Sequence, residues 1–265
     1  MLLFIILVLV LSIPPVQTAL GKYATNKINT EFGTNINIGK VGLQFNGDVE
    51  LKEIYIEDFK KDTLIAIQEL NTSILNYGNL VNGKLNFGDI DIYDLVLNIK
   101  TYEGEEDTNL DVFVAKFDED NPRPEKSGFL LSSSDVSIYD STFRLIDENR
   151  ETHKVLEFTD LNINATDFVI NGSDVRTRIN TLAFKDSRGA HIQNLMTNFE
   201  YTLTYMNFEN LSIKTDKSIL KGQLRFDYNR EDFKDFEDKV QVSANFIDSE
   251  VALNDLNTFY NEFGT

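Results

Sequence analysis

The stretch Lys84-Leu-Asn-Phe-Gly-Asp-Ile-Asp-Ile-Tyr-Asp-Leu-Val-Leu-Asn-Ile-Lys100 alternates apolar and polar residues so regularly that it constrains the fold of its surroundings. Leu85 and Phe87, then Ile90 and Ile92, then Leu95, Leu97 and Ile99 repeat with a period of two, as a strand with one buried face requires. Between these groups the parity slips, at Gly88-Asp89 and at Tyr93-Asp94. A one-residue slip moves the apolar set to the other face unless a bulge or turn absorbs it, so both dipeptides are expected to hold one. The unit is written twice. Asp89-Ile-Asp-Ile-Tyr-Asp94 returns 46 residues later as Asp135-Val-Ser-Ile-Tyr-Asp140, and the slip recurs before Phe143 and Leu145.

Strand patterns dominate from Thr34 onward. Ile36 to Phe45 and Val49 to Ile56 flank Asn46-Gly47-Asp48, a strong hairpin signal. Leu64 to Leu75 follows, and Asn82-Gly83 turns into the repeated unit. Leu110, Phe113, Val114 and Phe117 change the period to that of a short helix, with Thr108 or Asn109 as N-cap. Asp118 to Gly128, with two prolines and no apolar residue, reads as a linker. Strands are then expected at Val136–Ile146, Val155–Ile163, Phe168–Ile170, Val175–Phe184, His191–Tyr205, Phe208–Ile213, Ile219–Tyr228 and Val240–Val251. Their short connections predict antiparallel pairing throughout, because parallel neighbours need crossovers of a dozen residues or more. Leu253, Leu256, Phe259 and Tyr260 again have helical spacing.

Met1 to Ile13 is hydrocarbon apart from Ser12. Such a helix spans about 20 Å, against the roughly 30 Å of a bilayer core. A signal peptide would begin with basic residues, yet the first is Lys22. A buried core helix would be isolated at the terminus. The reading favoured is a transmembrane helix whose cytoplasmic start is missing. Pro14-Pro15 then opens a second helix ending at Gly33, with Leu20, Tyr23, Ala24, Ile28 and Phe32 in one apolar stripe. That helix either caps the end of a sheet or lies on a membrane surface. The two roles are compatible, since the stripe could plug the first rung.

The 265 residues carry 25 Lys plus Arg against 43 Asp plus Glu, a net charge of −18. This excess argues against nucleic acid, whose phosphates need a basic surface. It also argues against electrostatic docking on anionic lipid headgroups. Cysteine is absent, which removes disulfides and thiolate metal sites. His153 and His191 stand alone, and no nucleophile elbow, phosphate loop or dinucleotide fingerprint occurs. Asp89, Asp91 and Asp94 lack the Gly-containing loop a calcium site uses. No catalytic residue, metal ligand or cofactor is therefore expected, and what remains is the apolar face. It either packs against a second layer, as in a sandwich or barrel, or stays open as a groove.

Ile13-Pro14-Pro15-Val16-Gln17-Thr18, Ile36-x-Ile38-Gly39-x-Val41, and Ile54-Tyr55-Ile56-x-Asp58 followed by Asp62-Thr63-Leu64 resemble the N-terminus of the TamB family. These are inner-membrane subunits of the translocation and assembly module, and the Bacteroidetes form is the most similar. Leu80-x-x-Gly83-Lys84-Leu85, Ile90-x-Ile92, Asn109-Leu110 with Phe113, and Asn210-Leu211-x-Ile213-x-Thr215-x-x-Ser218-x-Leu220-x-Gly222 extend the resemblance along the chain. The later strands resemble AsmA-like proteins equally well. Basic residues before the anchor and the family's long C-terminal remainder are missing from the match.

The resemblance implies a mainly β fold: an extended curled antiparallel sheet, the β-taco, with an N-terminal anchor helix and short capping helices. Residues 1–33 would hold the anchor and amphipathic helix, 34–117 the first groove repeats, 118–128 a linker, and 129–265 further repeats. The single-pass anchor in the bacterial inner membrane would be Leu2, Leu3, Phe4, Ile5, Ile6, Leu7, Val8, Leu9, Val10, Leu11 and Ile13, with the bulk in the periplasm. The implied partners are phospholipid acyl chains and an outer-membrane assembly barrel of the TamA/BamA kind. Leu85, Phe87, Ile92, Val136, Ile138, Leu161, Ile163, Leu211, Ile213, Leu224 and Phe226 are expected to line the trough. An alternative without a lumen is a periplasmic scaffold that offers edge strands to client chains.

Overall fold

The computed structural model describes residues 13–44, 46–75, 84–116, 130–149, 154–171, 174–229 and 239–255. The expected anchor residues from Leu2 to Leu11, the 118–128 stretch and His153 lie outside them. Helix α1 (Pro14–Phe32) leads into β1 (Asn35–Leu43), β2 (Asp48–Glu57), β3 (Thr63–Ile74) and β4 (Lys84–Thr101). Helix α2 (Asn109–Ala115) precedes β5 (Leu130–Asp147), β6 (Lys154–Asn171), β7 (Asp174–Asp186) and β8 (His191–Tyr201). Then come β9 (Tyr205–Thr215), β10 (Ile219–Asp227) and β11 (Gln241–Phe246). All eleven strands form one open sheet in chain order, with β1 and β11 at its edges.

One step departs from the antiparallel expectation. β4 and β5 are parallel, pairing Asp89 with Asp135, Ile92 with Ile138 and Leu97 with Phe143. The two copies of the repeated unit thus lie side by side, like residue beside like residue. A hairpin would have reversed one copy, and only a parallel register sets both parity slips at the same level. The connection through α2 supplies the length a crossover needs. The sheet is therefore mixed, and the strands before and after residues 118–128 hydrogen-bond to each other.

Glu53, Asp94, Asp140, Asp160, Asp167 and Asn210 all have left-handed backbones, with φ between 49° and 57°. Each sits between two residues of the same face three positions apart: Leu51 and Ile54, Ile92 and Leu95, Ile138 and Ser141, Phe158 and Leu161, Ala165 and Phe168, Phe208 and Leu211. At Asp140, Asp160, Asp167 and Asn210 the register with a neighbour shifts and two residues oppose one, whereas at Glu53 and Asp94 both neighbouring strands keep step. In each case the strand continues and the apolar set stays on its face. Asp and Asn tolerate this conformation better than most side chains, which is why they recur there.

Helix α1 runs along the outer edge of β1, with a left-handed Gly33 (φ 64°) ending it. Its polar side chains replace the missing neighbour strand. Gln17 Nε2 donates to the Leu43 carbonyl (2.7 Å), and the Leu43 N–H donates to Gln17 Oε1 (3.0 Å). Asn29 does the same with Ile36, donating from Nδ2 and accepting at Oδ1, both at 2.8 Å. The Val41 N–H donates to Thr18 Oγ1 (3.3 Å). Gly21 permits the close approach, since a Cβ there would lie 2.4 Å from Val41 Cγ2. An edge strand left bare is a template for association, and α1 blunts this one. Replacing Gln17 and Asn29 together by alanine is expected to cost about 1 kcal/mol per site and to promote self-association, measured by denaturation and sedimentation velocity.

The expected apolar stripe does not plug the first rung. Leu20, Tyr23 and Ile28 are exposed, and the polar face of α1 meets β1. The reason is that a strand edge presents N–H and C=O groups, which amides and hydroxyls can satisfy and methyl groups cannot.

Candidate functional site

Cross-strand partners trace apolar rows over the whole sheet. One row runs Val41, Leu51, Leu70, Ile92, Ile138, Ile163, Leu182 from β1 to β7. Another runs Leu131, Ile170, Val175, Tyr201, Met206, Phe226, Val242 from β5 to β11. Aromatic rings fill the space between rows: Phe143 and Phe158 lie 5.5 Å apart, Phe158 and Phe184 4.2 Å, Phe199 and Phe208 5.1 Å.

The residues singled out from sequence all fall on this face. Ile92, Ile138 and Ile163 are successive members of the first row. Val136 pairs with Ile90 and Ala165. Leu161 opposes Ser141, and Phe87 pairs with Ile74 and Ser133. Ile213 lies between Leu195 and Leu220. Leu224 lies between Phe208 and Ala244, and Phe226 between Met206 and Val242. Leu85, described by its backbone, pairs with Leu131. Leu211 is only 3% exposed. Among the other members whose side chains are described, none is fully buried. Lateral neighbours cover each side chain in part, and no second layer covers the middle of the sheet among the described residues. Leu70, Leu182, Phe158 and Phe208 belong to the same face and were not singled out. Their signal was present, since each falls at apolar parity once the bulges are counted.

The opposite face is polar and internally paired. Lys52 bridges Glu50 (2.8 Å) and Glu69 (3.0 Å), and Arg144 bridges Glu157 (2.6 Å). Asn164 Nδ2 donates to the Asp135 carboxylate and to Ser137 Oγ, each at 3.0 Å, and its Oδ1 accepts from Asn180 (2.9 Å). Tyr93 stacks on Tyr139 at 4.9 Å. The sheet is thus one layer with a wet side and an apolar side.

Many of the fully buried residues gather at the end where β2 turns to β3. Register places the α2 connection, the β7–β8 turn and the β9–β10 turn at this same end. Asp58 is buried there and accepts from Tyr102 Oη (2.6 Å), Asn109 Nδ2 (3.0 Å) and the Lys60 and Asp62 N–H groups (2.8 and 3.0 Å). Burial alone would raise its carboxyl, but those hydrogen bonds outweigh it and hold the group below the ordinary carboxylate range. Burial, then the Asp58 and Asp62 carboxylates, push the Tyr102 phenol far up, so it serves only as a donor. Asn109, at the start of α2, is 1% exposed and also accepts from the Lys100 N–H (2.8 Å). Thr108 caps that helix in a capping box with Asp111. The lock recurs at the β9–β10 turn, where the Asp255 carboxylate accepts from Thr215 and Ser218 hydroxyls, both at 2.5 Å. At the β7–β8 turn Asp186 pairs with Arg188 at 2.5 Å.

No group of three or more His, Cys, Asp or Glu among the described residues is placed to hold a metal ion. His191 Nδ1 lies 3.0 Å from Asp216 Oδ1 in an exposed turn. No described helix is long and apolar enough to cross a membrane. No protein-family model matches the chain, and no curated protein matches it.

Proposed function

We propose that the chain is the N-terminal portion of a TamB-type protein whose sheet curls into a trough for phospholipid acyl chains. Residues Leu2 to Leu11 with Ile13 would anchor it in the inner membrane, and the strands would extend through the periplasm toward an outer-membrane assembly barrel. The observation that carries the reading is the continuous apolar face, which runs across eleven strands and lacks a covering layer among the described residues. Monomeric proteins rarely leave so large an apolar surface uncovered, so it calls for an apolar occupant. Sheets of this many strands twist and curl, which turns such a face inward. Each methylene exposed to water costs about 0.8 kcal/mol, so an acyl chain of about sixteen carbons crossing unaided faces roughly 12 kcal/mol. A trough lowers that barrier without nucleotide, metal or covalent chemistry. Photo-crosslinkers at Ile138 and Ile163 in membrane-bound full chain are expected to trap phospholipid, while crosslinkers at Asn164 on the wet face are not. Lipid at neither face would remove the conduit.

One observation favours a second reading. Every residue of β11 is exposed and, among the described residues, nothing caps its outer edge, whereas α1 blunts β1. A scaffold that recruits client strands would use this edge. Protein adducts confined to Val242 and Phe246, with none at Ile163, would support the scaffold over the conduit.

A further inference from the structure

Resting on the membrane-anchored reading, we propose that α1 is a docking helix that seats the β1 end of the sheet on a phospholipid bilayer surface. The helix is amphipathic in an unusual sense. Its inner face holds β1 with Gln17, Thr18 and Asn29, and its outer side leaves Ile13 (47% exposed), Leu20 (47%) and Tyr23 (72%) in contact with solvent. These three stand seven and ten positions apart, on one side of the cylinder. Capping the strand edge accounts for the polar inner face but requires nothing apolar on the outer side.

Three features name the occupant as lipid. Pro14 to Phe32 contains Lys22 and Lys27 against a single acidic residue, Glu31, in a chain of net charge −18. The helix is therefore the local exception in an acidic protein. Exposed Lys27, four residues after Tyr23 and seven after Leu20, shares the apolar side where headgroup phosphates would meet it, while Lys22 lines the groove between the helix and β1 with Thr25 and Asn29. A second copy would instead bring another strongly acidic surface close. The stripe also continues the apolar run Met1 to Ile13, so the chemistry on either side of Pro14 matches. Finally, Tyr23 carries an apolar ring with a polar tip, the arrangement that settles at the membrane–water interface. With a helix diameter of about 10 Å, this docking holds the first rung within one helix width of the headgroups.

The chain has no native cysteine, so a single introduced cysteine carries a unique spin label. With full chain on vesicles of phosphatidylcholine and phosphatidylglycerol, labels at Leu20→Cys and Tyr23→Cys are expected to be several-fold more accessible to oxygen than to a water-soluble nickel chelate. A label at Lys61→Cys is expected to show the reverse. Bound protein whose labels at 20 and 23 favour the nickel chelate would overturn the docking and leave the anchor standing. Failure of the full chain to bind vesicles would overturn both. As a second variant, Leu20→Glu with Tyr23→Glu should raise nickel access several-fold at a Lys40→Cys label, because the sheet edge would lift away. No change at Lys40 contradicts the proposal.

Discussion

Replacing Asn109 by alanine is expected to cost about 2–4 kcal/mol, among the largest losses from any single polar substitution in the chain. The side chain is fully buried and makes bonds in three directions, to the Asp58 carboxylate, the Asn98 carbonyl and the Lys100 N–H. Alanine leaves the Asn98 and Lys100 groups stranded and opens a void beside a buried carboxylate, and each unsatisfied group carries its own desolvation cost. Thermal unfolding of the detergent-solubilised chain should shift down by roughly 5–12 °C. The acid limb should move as well. The folded Asp58 carboxyl lies below its unfolded value near 4, so its contribution is complete above that pH and fades as pH falls through the depressed folded value. Losing the Asn109 hydrogen bond raises the folded value, so the variant should begin to unfold at higher pH than the parent. A loss under about 1 kcal/mol would mean that this lock does not hold the α2 connection to the sheet.

Substituting Ile163 by lysine is expected to abolish lipid capture while costing the fold no more than about 1.5 kcal/mol. Ile163 lies between Ile138 and Leu182 on an apolar face that no described residue covers, so a lysine stem can lie along its neighbours and carry the ammonium outward. In a packed core the same change would bury an unpaired charge and exceed about 4 kcal/mol. A lysine facing acyl chains costs about 2–4 kcal/mol, enough to lower lipid occupancy at least tenfold. Leu211 provides the contrast, because it is enclosed on the same face. Leu211→Lys should unfold the region where Ile163→Lys does not. Equal and large losses at both positions would indicate a closed core.

The strand content and apolar parity were legible because an alternating pattern needs no partner to be read. Counting Tyr93-Asp94 as a slip located a left-handed residue at Asp94, and the matching one at Asp140 followed from the repeat. The expected strands Val155–Ile163 and Phe168–Ile170 are one, since β6 runs from Lys154 to Asn171 through the left-handed Asp167. A left-handed Asp ends a strand or bulges it, and only the neighbouring strand decides which. The turn Thr202-Leu203-Thr204 was missed because it contains no Gly, Pro or Asn. There the Thr202 hydroxyl accepts from the Thr204 and Tyr205 N–H groups instead. The parallel pairing of β4 with β5 was written in the 46-residue repeat, but the charged stretch between the copies was read as a linker and not as part of a crossover. The inward face of α1 and the Asp58–Tyr102–Asn109 lock depend on partners far along the chain, which no local pattern reveals.

The chain contains no tryptophan, so a single Ile163→Trp substitution provides the only indole. In vesicles of phospholipid brominated on its acyl chains, that fluorescence is expected to be strongly quenched, while an indole at Tyr139 on the wet face is not. An indole at 163 that neither brominated lipid nor aqueous acrylamide can quench would show the face sealed by protein, and would contradict an open trough.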